Sequence, residues 1–211
     1  MRIVVIGASG FVGEKVVNEA LLRGHQVDAI YRRNKIAERD NLTQHKMTIF
    51  DVSDFEKIIE KADYVISAYN PGYYHVAQKE RYLDGYEVIF NTVKKLNKKI
   101  VVVIGATTLI QYDGETVRQG FFPKPWLKAL EGPDAVYEKY KNDSSLQVSF
   151  ISPAAELIEG ERTGKFGIGK DHLLYDSNLE SRISVQDLAY AILDEVENPK
   201  HLGSRFTIAY Q

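Results

Sequence analysis

Three groups of residues have types and spacings that could do chemistry. The first is Gly7-Ala8-Ser9-Gly10-Phe11-Val12-Gly13. It follows an apolar run that reads as a strand and opens a stretch with helical spacing. A pyrophosphate needs backbone N–H groups aimed at it with no Cβ in the way, and a helix N-terminus adds partial positive charge. Gly7 would permit the tight turn, Gly10 the close approach of a pyrophosphate, and Gly13 the packing of helix on strand. Ser9 could add a hydroxyl to a phosphate oxygen, or cap an ordinary strand-to-helix turn. The second group is Arg32-Arg33, where the second predicted strand ends without a carboxylate. A carboxylate there would bind ribose hydroxyls, whereas guanidinium forks bind a 2′-phosphate; a basic pair can also be merely solvated. The third is Tyr137-Glu138-Lys139-Tyr140-Lys141. Residues four apart share a helix face, and an ammonium beside a phenol favours the phenolate needed for acid–base work. Spacing alone carries little weight. With 13 Tyr and 17 Lys in the chain, about one such pair arises by chance, and Tyr31/Lys35 is a second example with no place in a site.

Short Val/Ile-rich runs at 3–6, 27–31, 47–50, 64–67, 100–104 and 148–151 must position these groups. They are continuous rather than alternating, and amphipathic helical stretches separate them. That pattern predicts strands buried on both faces of a parallel sheet, in a doubly wound, Rossmann-type three-layer α/β/α fold. Phe11, Val12, Val16, Val17, Ala20 and Leu21 make one helical stripe; Leu83, Tyr86, Ile89, Phe90, Val93 and Leu96 make another. Ser53-Asp54-Phe55-Glu56 reads as a capping box opening the helix after the third strand. Asp28 lies too early in its strand to reach the carboxyl edge and is expected at the rim or facing a helix. The Gly/Pro-punctuated stretches 111–133 and 152–183 follow strands, at the edge where open α/β sheets bind ligands. Both are expected as substrate-side loops of one domain spanning 1–211, the second forming a short C-terminal substrate-binding segment.

Composition narrows the classes. A chain of 211 residues leaves no room for a second substrate domain beside a full α/β core. Its net charge of -2 lacks the electrostatic footprint of a nucleic-acid binder. No cysteine is present, which removes disulfides and thiol chemistry and fits a reducing, cytoplasmic setting. The five histidines show no paired ligand spacing, so no metal site is expected. The apolar run at 100–106 is too short to span a bilayer, and residues 1–6 read as a buried strand rather than a signal peptide.

The G-x-x-G-x-x-G turn resembles the fingerprint of extended and atypical short-chain dehydrogenases/reductases. Further landmarks extend the resemblance over nearly the whole chain: Asp51-Val52, Ser67-Ala68-Tyr69-Asn70-Pro71-Gly72, Gly105-Ala106-Thr107-Thr108, Ser152-Pro153-Ala154-Ala155, and Ile183-Ser184-Val185-Gln186-Asp187-Leu188-Ala189. Small size and the Arg after the second strand are most similar to the NAD(P)H-binding subgroup related to NmrA-like proteins, NADH–flavin reductases and the NAD-dependent epimerase/dehydratase family. The resemblance implies that Gly7, Ser9, Gly10, Phe11, Val12 and Gly13 hold the pyrophosphate. It gives Arg32, with Arg33 beside it, the 2′-phosphate of NADP(H), preferred over NAD(H). Asp51 and Val52 would meet the adenine, and the backbone of Ala68, Tyr69, Asn70 and Pro71 would run beside the pyrophosphate and ribose. Thr107, Pro153, Ala154 and Ala155 would lie near the nicotinamide. Tyr137 and Lys141 would form the catalytic pair, with Thr108 or Thr107 as hydroxyl partner and Tyr140 as the register alternative; the residues alone equally allow Tyr137 to be a surface helix tyrosine.

A cofactor frame beside a short, aromatic-lined region points to an oxidoreductase passing hydride to a small planar acceptor such as a flavin, quinone or carbonyl compound. Tyr69, Tyr73, Tyr74, Phe121, Phe122 and Trp126 could wall its pocket, or be ordinary core or a subunit contact. A non-catalytic redox sensor that reports dinucleotide state to a protein partner is the alternative. A nucleotide-sugar epimerase or dehydratase is a third reading, which the short C-terminal segment disfavours. No nucleic-acid or membrane partner is expected. The helices at 76–96 and 134–142 could pack a homodimer.

Overall fold

The apolar runs pair side by side into a central sheet. The computed structural model describes residues 1–72, 78–120 and 124–211, with the side chains of 120, 124–126 and 129 outside that description. In chain order the elements are β1 (Arg2–Ile6), α1 (Phe11–Leu22), β2 (Gln26–Tyr31), β3 (Leu42–Lys46), α2 (Val52–Glu60), β4 (Tyr64–Ser67), α3 (Gln78–Lys95) and β5 (Ile100–Val103). Then follow α4 (Val117–Gly120), α5 (Lys124–Tyr140), β6 (Val148–Ser152), β7 (Glu156–Ile158), β8 (Gly167–Gly169), β9 (Arg182–Ser184), α6 (Val185–Glu197) and β10 (Ser204–Ala209). The large sheet runs β3-β2-β1-β4-β5-β6-β10-β8, parallel except for β8, while β7 and β9 pair separately. Strand order reverses between β1 and β4, which puts the ligand-binding crevice of such sheets beyond their carboxyl ends.

Alternate residues of β1 serve two cores. Ile3 and Val5 face Val16, Val17 and Ala20 of α1 and Leu188 and Ile192 of α6. Val4 and Ile6 share a core with Phe55 of α2, Tyr86 and Ile89 of α3, and Val136 of α5. Both faces of the sheet are therefore covered, as continuous apolarity requires. Among the described residues no helix is long and apolar enough to cross a membrane.

Four local expectations change. The third strand is Leu42–Lys46, not 47–50. As the edge of the sheet it needs few apolar residues, so a polar sequence escapes a search for buried runs. Helix α2 starts at Val52 with Asp51 at the cap position, and the Asp51 carbonyl accepts from the Asp54 and Phe55 amides. Ser53 therefore sits inside the first turn and is not its cap. Phe11 opens α1 but is 49% exposed, so the buried stripe begins after it. Helix α5 begins at Lys124 and runs through Pro133, and α4 also falls within 111–133. A proline inside a helix removes a hydrogen bond, and packing offsets that loss. A Cβ at Gly132 would lie 2.2 Å from the Tyr82 ring, so the glycine lets that ring pack closely against α5. Helices α3 and α5 thereby pack on each other within the chain.

The stretch 152–183 divides. Residues 159–166 run down along α1 and α6: Glu159 pairs with Lys15, Arg162 with Glu19, and Thr163 donates to Asp187. Only the part beyond β8 returns to the loop after β5, where the Leu173 amide donates to the Ile110 carbonyl at 2.8 Å.

Asp28 is occupied inside the sheet. Its carboxylate accepts from Arg2 Nε at 2.6 Å and contacts His45 Nε2 at 2.7 Å. Burial works to raise this carboxyl, but the hydrogen bonds from Arg2 and His45 outweigh it and hold the group below the ordinary carboxylate range. A depressed folded-state pKa contributes stability in full above the ordinary value, lost as pH falls through the folded one. Asp28→Asn is therefore expected to cost about 2 kcal/mol near neutral pH, with the gap from wild type closing as pH falls below about 4. Denaturant melts across that range check it; a constant gap would contradict the assignment.

Candidate active site

The crevice is built from its narrowest point outward. β1 ends at Ile6, and Gly7 turns the chain with φ +78°. The Gly7 and Ala8 amides both donate to the Ile30 carbonyl of β2 at 3.1 Å, which fastens the turn to the neighbouring strand. A Cβ at Gly7 would lie 2.5 Å from the Ala68 carbonyl oxygen, so only glycine lets the turn meet the loop after β4. A Cβ at Gly13 would lie 2.1 Å from the Gly7 carbonyl oxygen, so α1 docks on the turn through bare backbone. Gly10 is exposed, and a Cβ there would meet only the Gly7 oxygen, at 3.2 Å. As the cap of α1 it brings no side chain to the first amides, and Glu14 closes the first helical bond onto the Gly10 carbonyl. The amides of Phe11, Val12 and Gly13 thus stand at a helix N-terminus uncapped by any side chain.

Around this point stand apolar side chains that the folded chain leaves in water. Phe11 is 49%, Phe50 51% and Val52 42% exposed. Phe11 opens α1, while Phe50 and Val52 flank exposed Asp51 on the way from β3 into α2. Arg32 leaves the end of β2 and reaches over the end of β1 to the loop after β4. Its Nη2 donates to the carbonyls of Asn70 at 3.1 Å and Pro71 at 3.3 Å. Asn70 braces that loop by accepting from the Gly72 amide at 2.8 Å. Arg33 is exposed. The Tyr69 ring turns away from the crevice to lie edge-on to Tyr82 and Tyr86, against Gly85. It is therefore no wall of a pocket, and only its backbone borders the crevice. Tyr73, Tyr74, Phe121, Phe122 and the Trp126 side chain lie outside the described residues.

Beyond β5 and β6 the chain is held by buried polar groups. Thr107 donates to Asp134, whose other oxygen accepts from Arg118 Nη1 at 2.7 Å. Burial pushes the Asp134 carboxyl above its ordinary range, against the pull of those two donors. Ser152 donates to the Gly105 carbonyl at 2.9 Å, tying the ends of β5 and β6 together. Pro153 and Ala154 are buried, and the Ala155 amide donates to Ser181. Thr108 faces a different way, accepting from Arg205 Nη1 at 2.7 Å while Arg205 Nε and Nη2 grip Asp171.

The structure does not bring Tyr137 and Lys141 to this edge. The Tyr137 ring packs on Phe150, midway along β6, and under the Arg205 guanidinium, 4.4 Å from its centroid. Lys141 sits beyond the end of α5, 5.6 Å over the Tyr137 ring, and pairs with Glu138 at 2.6 Å. Burial pushes the Tyr137 phenol up, with Arg205 opposing; a tyrosine serving as base needs the reverse direction. One turn earlier on α5, Asp134 occupies the place nearest the Thr107 end of β5. Asp134, Arg118, Arg205 and Asp171 escaped the sequence motifs. Arg205 did carry a signal, since a charge at the head of the apolar run Phe206-Thr207-Ile208-Ala209 demands a partner once its own side chain is buried.

The comparisons agree with this geometry. A family model described as NAD(P)H-binding matches residues 7–199, from the glycine turn to the end of α6. The chain belongs to the NAD(P)H-binding family. YwnB of Bacillus subtilis, an uncharacterized protein, is 32% identical across 99% of this chain and 98% of its own. A provisionally named epimerase from Bacteroides thetaiotaomicron is 36% identical and superposes with a TM-score of 0.87, covering 99% of this chain and 96% of that one. A provisionally named NADH-flavin reductase from Streptococcus pneumoniae is 27% identical, with a TM-score of 0.85 and full coverage of both chains. Family membership gives this oxidoreductase-like chain a nicotinamide dinucleotide as its cofactor. The residues present fit that group: a bare glycine cradle, a helix N-terminus uncapped by side chains, and exposed apolar surface on both sides.

In an NAD(P)H-binding protein of this build, two glycines should fail in different ways. Gly13→Ala forces backbone apart and is expected to cost at least about 2 kcal/mol together with dinucleotide binding. Gly10→Ala is expected to change stability by less than about 1 kcal/mol yet weaken dinucleotide binding at least tenfold. Thermal melts with and without NADPH separate the two; equal melts for both variants would sink the cradle.

Proposed function

We propose that the protein is a cytoplasmic NADP(H)-dependent reductase of the atypical short-chain type, acting on a small planar acceptor such as a flavin, quinone or carbonyl compound. The observation that carries it is Arg32. It stands at the strand end where NAD-selective sites place a carboxylate, and among the described residues its hydrogen-bond acceptors are the carbonyls of Asn70 and Pro71. Trading two carbonyls for a dianionic phosphate breaks no ion pair, so the exchange favours the phosphate. Arg33 adds positive charge beside it.

When bound, the dinucleotide supplies or takes up hydride. The chain holds its pyrophosphate on the amides of the Gly7–Gly13 turn, with Ser9 adjacent, and covers its adenine with Asp51, Val52 and Phe50. Ala68, Asn70 and Pro71 line the ribose side, while Thr107, Pro153, Ala154 and Ala155 border the nicotinamide. An electron-poor flavin or quinone needs little acid catalysis, so a reductase of this kind works without a phenol aimed at the acceptor. Tyr137 and Lys141 then brace α5 against β6 and β10, and Thr108 positions the loop after β5 through Arg205.

A non-catalytic redox sensor is the second reading, favoured by the same displacement of Tyr137. The two part on turnover. Steady-state assays over flavins, quinones and carbonyls with NADPH should show reduction, with Tyr137→Phe within about twofold of wild type. A loss of 100-fold or more, in the range of lost acid–base catalysis, with dinucleotide affinity intact would return the tyrosine to the chemistry. Absence of turnover over the whole panel would leave the sensor. Separate fluorescence titrations should show NADPH binding more tightly than NADH, and Arg32→Ala should cost NADPH about 10- to 100-fold while moving NADH less than threefold. Tighter NADH binding by the wild type would overturn the assignment of Arg32.

A further inference from the structure

Beside α5 and away from the glycine turn, the chain forms a cavity of about 310 Å³. That is the lower end of the roughly 300–1,000 Å³ taken by small-molecule sites. Tyr137 and the residues just past α5 border it on one side, the segment after β8 and the head of β10 on the other. Helix α5 follows the carboxyl end of β5 and ends ahead of β6, and β10 begins at the same amino edge. The cavity therefore opens toward the edge opposite Gly7.

Its charge is one-sided. Lys141, Lys170 and Arg205 border it against a single carboxylate, Asp171. Arg205 donates to Asp171 Oδ1 through Nε and Nη2, so these two charges answer each other. Lys141 pairs with Glu138, but the two side chains are 35% and 55% exposed. A pair so open to water is worth little and yields to a better anion. Lys170 is exposed, and among the described residues it has no ion pair or hydrogen bond. One ammonium at the cavity is thus uncompensated, and a second is loosely held.

The neutral groups there add donors. The Tyr137 hydroxyl has no hydrogen-bond partner among the described residues, and neither has the Asn142 side chain. Burial pushes the Tyr137 phenol up, and Arg205 and Lys141 pull it back only in part, so at neutral pH it keeps its proton to donate. Two ammoniums, a phenol and an amide call for a ligand that is rich in acceptors and doubly charged. A phosphate monoester is both, whereas a carboxylate answers only one of the two ammoniums. Asn142 and Ser204 on the wall suit a polar body behind the phosphate.

We propose that this cavity binds a small, polar phosphate monoester, with the Lys170 and Lys141 ammoniums and the Tyr137 hydroxyl on its phosphate oxygens and Arg205 left on Asp171. The proposal depends neither on the acceptor nor on the choice between NADP(H) and NAD(H). Amide shifts in two-dimensional NMR give each site its own reading, which matters because the glycine turn also attracts phosphate. On titration with glycerol 3-phosphate at constant ionic strength, the amides of Asn142, Lys170 and Ser204 should move along one saturating curve. Lys170→Ala should weaken that binding about threefold, and Lys141→Ala combined with it about tenfold. Lys61→Ala, an exposed lysine at the end of α2, should change nothing. Inorganic phosphate should move the same amides more weakly, and acetate at equal concentration should leave them in place. Movement confined to the amides of residues 10–13, equal affinity of the double variant and wild type, or a loss as large in Lys61→Ala would each overturn the site. Acetate as effective as the ester would overturn the phosphate assignment, and inorganic phosphate binding as tightly as the ester would overturn the monoester.

Discussion

Three backbone segments meet at Gly7, and the rest of the carboxyl edge depends on that contact. The turn leaves β1, presses on the loop after β4 at Ala68, and receives α1 at Gly13, with clearances that no Cβ would survive. Because the same turn is hydrogen-bonded to Ile30 of β2, it fixes the relative height of three neighbouring strands at the point where strand order reverses. The crevice is thus a consequence of steric closure, made before any ligand arrives. Its amides are preorganised by the fold, and binding need not pay to order them.

Much of this was legible in the sequence, and the parts that were not have physical causes. Apolar runs marked the buried strands because both faces of a parallel sheet are dry. The edge strand β3 was missed for the converse reason: with one neighbour, Leu-Thr-Gln-His-Lys can face water. The glycine turn could be placed from its neighbours alone, because backbone chemistry is local. Side-chain chemistry is not. Tyr137 and Lys141 share a helix face as their spacing requires, but which face points at the crevice depends on where α5 begins and how it docks. Gly132-Pro133 reads as a stop, yet the helix passes through it because Tyr82 fills the space that a side chain would have taken. That contact lies about fifty residues away in sequence and leaves no local trace.

The long irregular segment after β6 shows the same limit. Glycine content and position suggested that all of it served a substrate. In the fold, residues 159–166 are a strap, pinned by Arg162 on Glu19 and by Asp187, which accepts from the Thr163 and Gly164 amides and from the Tyr210 hydroxyl. For the acceptor proposed above, the part of this segment left at the carboxyl edge, among the described residues, is the stretch beyond β8 that returns to Ile110. A chain of 211 residues therefore spends part of its substrate-side sequence on holding α1 and α6 together.

Charge placement separates structure from binding. Arg2, Arg23, Arg162 and Arg205 all end on carboxylates: Asp28, Glu19 with Asp194 and Glu197, Glu19 again, and Asp171. Recruiting any of them to a phosphate would strand a carboxylate, in several cases a buried one, and a stranded buried charge is among the costliest defects a fold can carry. Arg32 carries no such debt, because its acceptors are neutral carbonyls on the loop that borders the crevice. The bond to Asn70 is exposed, so water can replace the guanidinium there once it turns to an anion, while the bond to Pro71 is part-buried. The guanidinium that reaches across the switch point thus costs less to release than any of these four, which is the property a phosphate-reading arginine needs.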